Sequence, residues 1–235
     1  MRGVIPEPLL ETGASMSGAL IQPGPLDYGT AWALQRRLLE DRLAARCPDT
    51  LLLLEHEPVF TAGRTARAEH WGGNESATHV AGVPIVRVER GGSVTYHGPG
   101  QLVGYPILKL NRFCDGPRAY VRSLEEVIIR TLARWDITGR RKEKLPGVWV
   151  GGSQAAKIAA VGTRIERGIT MHGFALNVTV DLRPFSWIVP CGLADCRVTS
   201  MAELIAGPVD PIEVRRCVAD RFADVFGLEW TEGQG

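Results

Sequence analysis

Ile188-Val189-Pro190-Cys191-Gly192-Leu193 sets a cysteine between a proline and a glycine, which predicts a thiol on a turn rather than inside a packed element. A thiol there, beside a cation, is partly ionised, and the thiolate is a nucleophile. A lone cysteine is also commonly an inert core residue. A second signal is Lys157, set in the small apolar run Gln154-Ala155-Ala156-Lys157-Ile158-Ala159-Ala160-Val161-Gly162. The chain has 27 basic residues, yet only Lys109, Lys142, Lys144 and Lys157 are lysines. Arginine cannot shed its proton, whereas a desolvated lysine can, so the choice of lysine points to proton transfer or an adjustable charge. The alternative is a lysine facing solvent from an edge strand. The third signal is Arg90-Gly91-Gly92-Ser93-Val94-Thr95-Tyr96-His97-Gly98-Pro99-Gly100-Gln101. Paired glycines let backbone approach a ligand and point N–H groups at it, while Arg90 and His97 add polar handles. A tight turn capped by a histidine would read the same way.

Other chemistries fit less well. Gly98, Gly100 and Gly104 have neither P-loop nor dinucleotide spacing. Cys191 and Cys196 with His97 and His172 lack the paired close spacing of a zinc site, and no metal and no cofactor is expected. A formal net charge of +1 gives no global basic field for nucleic acid. Five cysteines at irregular spacing (47, 114, 191, 196, 217) suit reduced thiols. The N-terminus has no signal-peptide apolar run, and Leu51–Leu54 is far too short to span a bilayer, so a cytoplasmic protein is expected.

The elements that must position these residues follow from periodicity. Helices are predicted over 28–46 behind an Asp27 cap, over 117–135, near 200–206, and over 211–226 behind Asp210 and Pro211. Strands are predicted at 50–55, 84–89, 93–96, 102–108, 147–151, 157–165 and 169–179. Residues 62–82 and the basic stretch 140–144 read as loops. Residues 1–20 read as a flexible leader and 21–235 as one catalytic domain, α/β or α+β, with a mixed β-sheet flanked by helices.

Four ordered motifs resemble the lipoyl(octanoyl) transferases: residues 90–101, Lys157-Ile158-Ala159-Ala160-Val161-Gly162, His172-Gly173-Phe174-Ala175-Leu176-Asn177, and Pro190-Cys191-Gly192 with Val198-Thr199-Ser200. The resemblance spans about residues 26–227, and its wording is most similar to actinobacterial members. It implies the fold of the catalytic domains of biotin protein ligases and lipoate ligases. It also implies that Cys191 carries an acyl thioester and that Lys157 lowers its pKa. Arg90, Gly91, Gly92, Ser93, Val94, Thr95, Tyr96, His97, Ala160, Val161, Gly162, Gly173, Phe174 and Ala175 would hold the acyl group, with His97 and His172 as candidate proton relays. The implied donor is octanoyl-acyl carrier protein. The implied acceptors are lipoyl domains of 2-oxoacid dehydrogenases and the glycine cleavage H protein, served by a monomer. Rival readings are an ATP-dependent lipoate or biotin ligase, a cysteine thioesterase using Cys191 with His97 or His172, and a non-catalytic acyl-binding module.

Overall fold

The computed structural model describes residues 16–192 and 196–231; for Cys191 it describes the backbone. In chain order the elements are β1 (Met16–Ile21), β2 (Pro25–Leu26), α1 (Tyr28–Leu43), β3 (Asp49–His56) and β4 (Val59–Ala62). Then come β5 (His79–Val80), β6 (Val83–Arg87), β7 (Val94–His97), β8 (Gln101–Ile107), α2 (Pro117–Ala133) and β9 (Arg140–Lys142). The chain continues through β10 (Leu145–Val150), β11 (Ala156–Glu166), β12 (Ile169–Asn177), α3 (Met201–Leu204), α4 (Pro211–Phe226) and β13 (Leu228–Thr231).

A mixed sheet runs β13-β1-β3-β8-β12-β11-β10-β9, with β2 pairing alongside β3. Helices cover both faces, which explains why β3 reads as an unbroken leucine run rather than an alternating one. Leu51 and Leu53 join the core under α2 and α4. Leu52 and Leu54 face Ala31, Leu38 and Leu39 of α1. That helix buries Tyr28, Ala31, Gln35, Leu38, Leu39 and Arg42, one stripe at helical spacing. Asp27 caps it by accepting from Thr30 N at 2.9 Å. On the other face α2 begins at Pro117 and packs against α4, with the Tyr120 and Phe226 rings 6.1 Å apart.

A second, smaller sheet, β5-β6-β4-β7, has its own core of Phe60, Trp71, Val94, Tyr96, Phe185 and Ile188. Two expected loops are corrected here. The 62–82 segment contains a 3-10 turn at Ala68–Trp71 and strand β5, and the basic stretch opens with β9, which pairs with β10. Residues 16–20, expected within the leader, lie in β1, whose parallel pairing with β3 and β13 supplies the order that their composition hides. Residues 1–15 lie outside the described residues.

Candidate acyl-transfer site

Strands β11 and β12 pair antiparallel, with Ala160 opposite Ala175, Val161 opposite Phe174 and Gly162 opposite Gly173. Two motifs thirteen residues apart thereby become one wall. The Arg90–Gly92 turn closes over it, joined by Gly91 N donating to Thr163 O at 2.9 Å. A Cβ on Gly162 would sit 2.8 Å from Gly91 O, so glycine is what permits this approach. Between wall and turn lies a mostly apolar cavity of about 370 Å³. Of residues 90–97, 160–162 and 173–175, all but Tyr96 border it, and so do Lys157 and His172. Tyr96 is on the other side of its strand, as alternation requires. Its ring lies 5.4 Å from Phe60 and 5.6 Å from Phe185, in the small sheet's core. Sequence reasoning missed Tyr28, Val103, Tyr105 and Val121, which also border the cavity. The alternation of Val103 and Tyr105 along β8 was the available signal.

Polar groups at the cavity form a hydrogen-bonded chain whose direction can be read. Gln101 Nε2 donates to Tyr96 O (3.1 Å) and to Asn177 Oδ1 (2.9 Å). Its Oε1 therefore accepts, from His97 Nδ1 at 2.7 Å. His97 is the Nδ1–H tautomer, and its Nε2 accepts from the Thr61 hydroxyl at 3.2 Å. Thr61 Oγ1 in turn accepts from Arg90 at 2.8 Å. At the other end Asn177 Nδ2 donates to Thr199 O at 2.9 Å. Burial first, then the neighbouring His56 and Arg90, hold His97 well below the ordinary histidine range. Burial likewise lowers His56, whose Nε2 lies 2.7 Å from the Tyr105 hydroxyl, to about 4. His172 falls to about 3, through burial and then the Arg90, Arg164 and Arg36 charges. All three imidazoles are neutral near pH 7.

Lys157 is buried at 6% exposure in an interior strand, so the solvent-facing edge lysine is ruled out. Its Nζ donates to Pro146 O at 3.1 Å and lies 4.8 Å from the centre of the Trp149 ring. Lys157 also clamps the segment after the cysteine turn: its N–H donates to Arg197 O (2.7 Å) and its C=O accepts from Thr199 N (3.0 Å). Pro190–Gly192 is itself a 3-10 turn. Val189 N donates to His70 O at 2.8 Å just before it. A Cβ on Gly192, at φ +70°, would meet His70 Cε1 at 3.2 Å and Ser93 Oγ at 3.4 Å, so the turn lies against the 90–97 segment. Pro190, Val198 and Lys157 border one small void beside the cavity. The Cys191 side chain is outside the described residues, while Cys196 is half-buried.

The lipoyl protein ligase A/B catalytic domain family matches residues 27–223. An octanoyltransferase of Gloeobacter violaceus is 48% identical over 215 residues, covering 91% of this chain and 92% of that protein. One of Chloroflexus aggregans is 51% identical, covering 76% of this chain and 81% of its own length. Among solved structures, a bi-partite lipoate protein ligase of Thermoplasma acidophilum aligns with a TM-score of 0.69 at 18% identity, covering 93% of this chain and 87% of that one. A biotin protein ligase of Aquifex aeolicus aligns at 0.53 and 17% identity, covering 88% and 70%. At such identities these structures establish the shared fold.

Proposed function

Because this chain belongs to the octanoyltransferases, acyltransferases of the lipoyl protein ligase A/B catalytic domain family, we propose that it moves an octanoyl group from acyl carrier protein, through a thioester on Cys191, to a lysine of a lipoyl domain. The observation that carries this reading is the buried lysine bordering a mostly apolar cavity, with the Pro190–Gly192 turn held beside it. Lys157, as a cation, favours the Cys191 thiolate. The thiolate attacks the carrier thioester, and a new C–S bond forms as the carrier's own C–S bond breaks. The carrier leaves as its thiol after taking the Lys157 ammonium proton, which leaves Lys157 neutral. One thioester replaces another, so the step is close to neutral in energy and needs no ATP.

The acyl chain then lies in the cavity. Burying its seven hydrocarbon carbons at about 0.8 kcal/mol each contributes roughly 6 kcal/mol of binding. Backbone N–H groups of the glycine turns are suited to the carbonyl oxyanion, a role worth about 3–4 kcal/mol per donor. In the second half, the acceptor amine attacks the acyl-cysteine, the C–N bond forms, the thiolate departs, and the ammonium proton moves to a base. The His97 nitrogens are both engaged, one donating to Gln101 and one accepting from Thr61. That engagement favours Lys157 as the proton acceptor. The free thiols Cys47, Cys114 and Cys217 are consistent with a reducing, cytoplasmic setting. Lipoyl domains of 2-oxoacid dehydrogenases and the glycine cleavage H protein are the acceptors this chemistry suits.

Intact mass after incubation with octanoyl-acyl carrier protein, without ATP, tests the reading. One octanoyl should add to the wild type, be absent from Cys191→Ser, and pass to a lipoyl domain added afterwards. Modification that needs ATP and free acid would move the protein to the ligases.

A further inference from the structure

The cavity wall includes the buried imidazole of His172, where an octanoyl chain calls only for apolar walls. His172 lies on β12 opposite Thr163, is 1% exposed, and borders the cavity. Neither of its ring nitrogens has a hydrogen-bond partner among the described residues, and the same holds for Gln35 Nε2. Gln35 holds the His172 backbone, its Oε1 accepting from His172 N at 2.9 Å. A neutral imidazole presents one donor and one acceptor, so two buried polar atoms in the cavity wall await a partner. His172 also has φ +54° inside a strand, a left-handed conformation that a histidine chosen only to fill space has no reason to hold.

The distance from the reacting end matches the chain. The Lys157 side chain reaches forward to Pro146 O, and the next residue, Gly147, is opposite Ala160. From Ala160 to Thr163 is three residues of β11, about 10 Å at about 3.3 Å per residue. Seven C–C bonds of about 1.5 Å, in zigzag, span about 9 Å. An octanoyl group with its carbonyl near the Lys157 ammonium therefore ends at the level of His172.

We propose that His172, backed by Gln35, is a polar end wall that reads the far end of the acyl chain. It stops unsubstituted chains near eight carbons and admits chains of that length that end in a hydrogen-bonding group, such as a hydroxyl. A longer alkyl chain presses methylenes onto atoms that need polar partners. A terminal hydroxyl, which both donates and accepts, satisfies them. The inference rests on the acyl-cysteine reading above.

The test measures single-turnover acylation of the wild-type protein by octanoyl-, decanoyl- and 8-hydroxyoctanoyl-acyl carrier protein. The 8-hydroxyoctanoyl donor should react within about threefold of octanoyl, and decanoyl at least about tenfold more slowly. Decanoyl equal to octanoyl, with the hydroxylated donor rejected, overturns the end wall. His172→Met should reverse the order, favouring decanoyl over 8-hydroxyoctanoyl by about tenfold. His172→Asn, which tolerates positive φ and keeps a polar head, should preserve the wild-type order. If Met at 172 does not fold, the wild-type donor series decides alone. Absence of any octanoyl adduct would instead defeat the acyl-cysteine reading, so the two failures are distinct.

Discussion

Lowering the pH from 8 to 5 should destabilise this protein by several kcal/mol, because the folded chamber refuses protons that the unfolded chain accepts. His56 is held at about 4, His172 at about 3 and His97 well below its ordinary value, in each case chiefly by burial. In the unfolded chain each titrates near 6.5. A depressed folded pKa means the stabilising contribution is intact above pH 6.5 and is lost as the pH falls from 6.5 toward the folded value. At about 1.36 kcal/mol per unit, the 1.5 units between 6.5 and 5 remove about 2 kcal/mol for each of His56 and His172, or about 4 kcal/mol together, and His97 adds to the loss in the same direction. That is a large fraction of the whole stability of a typical domain. The carboxylates with lowered values, Asp27, Glu126 and Asp181, lose their contribution only below this window. Urea unfolding at pH 8, 7, 6 and 5 measures the effect, and the slope counts protons taken up on unfolding. A fall of less than about 1 kcal/mol across the range would refute the claim that the three imidazoles are buried and neutral. His172→Asn should flatten the slope by about one proton.

Lys157→Arg keeps a cation but cannot shed a proton, so Cys191 alkylation should persist while transfer to a lipoyl-domain lysine falls about 100-fold or more, read by single-turnover mass spectrometry. Gly162→Ala drives a methyl against Gly91 O, so the Arg90–Gly92 turn should lift away and octanoyl acylation should slow, with the melting temperature showing that the fold survives. Asp49 is fully buried and holds Arg42 (2.7 Å), Arg112 (2.6 Å) and Lys109 N (2.7 Å). Asp49→Ala strands the nearly buried Arg42 charge and should cost about 3–5 kcal/mol in denaturant unfolding.

Much of this arrangement was legible in the sequence, and the exceptions have identifiable causes. Helices α1, α2 and α4 announce themselves through Asp27, Pro117 and Asp210 at their starts and through apolar stripes. β1 and β13 were hidden because they borrow their order from neighbouring strands: Met16 opposes Leu228, and Gly18 opposes Asp49. β4 follows directly on Pro58, a turn signal that masked four residues which are all buried. At the site, the glycines, Lys157 and His97 were readable because such residue types are costly in a plain core. Tyr96 was misplaced because a motif does not say which way each side chain points.

The cavity has walls from two different sheets. β11 and β12 belong to the large one, and the Arg90–His97 segment leads into β7 of the small one. The small sheet has its own, lesser core, and it meets the β11 wall through few backbone links, among them Gly91 N to Thr163 O. Such a unit can open on its own at a free energy below that of global unfolding. In hydrogen exchange, the amides of β4, β6 and β7 should therefore exchange together and sooner than those of β3, β8 and β12. A covalently held acyl chain, touching both walls, should slow that exchange, making the acyl-enzyme the more rigid species.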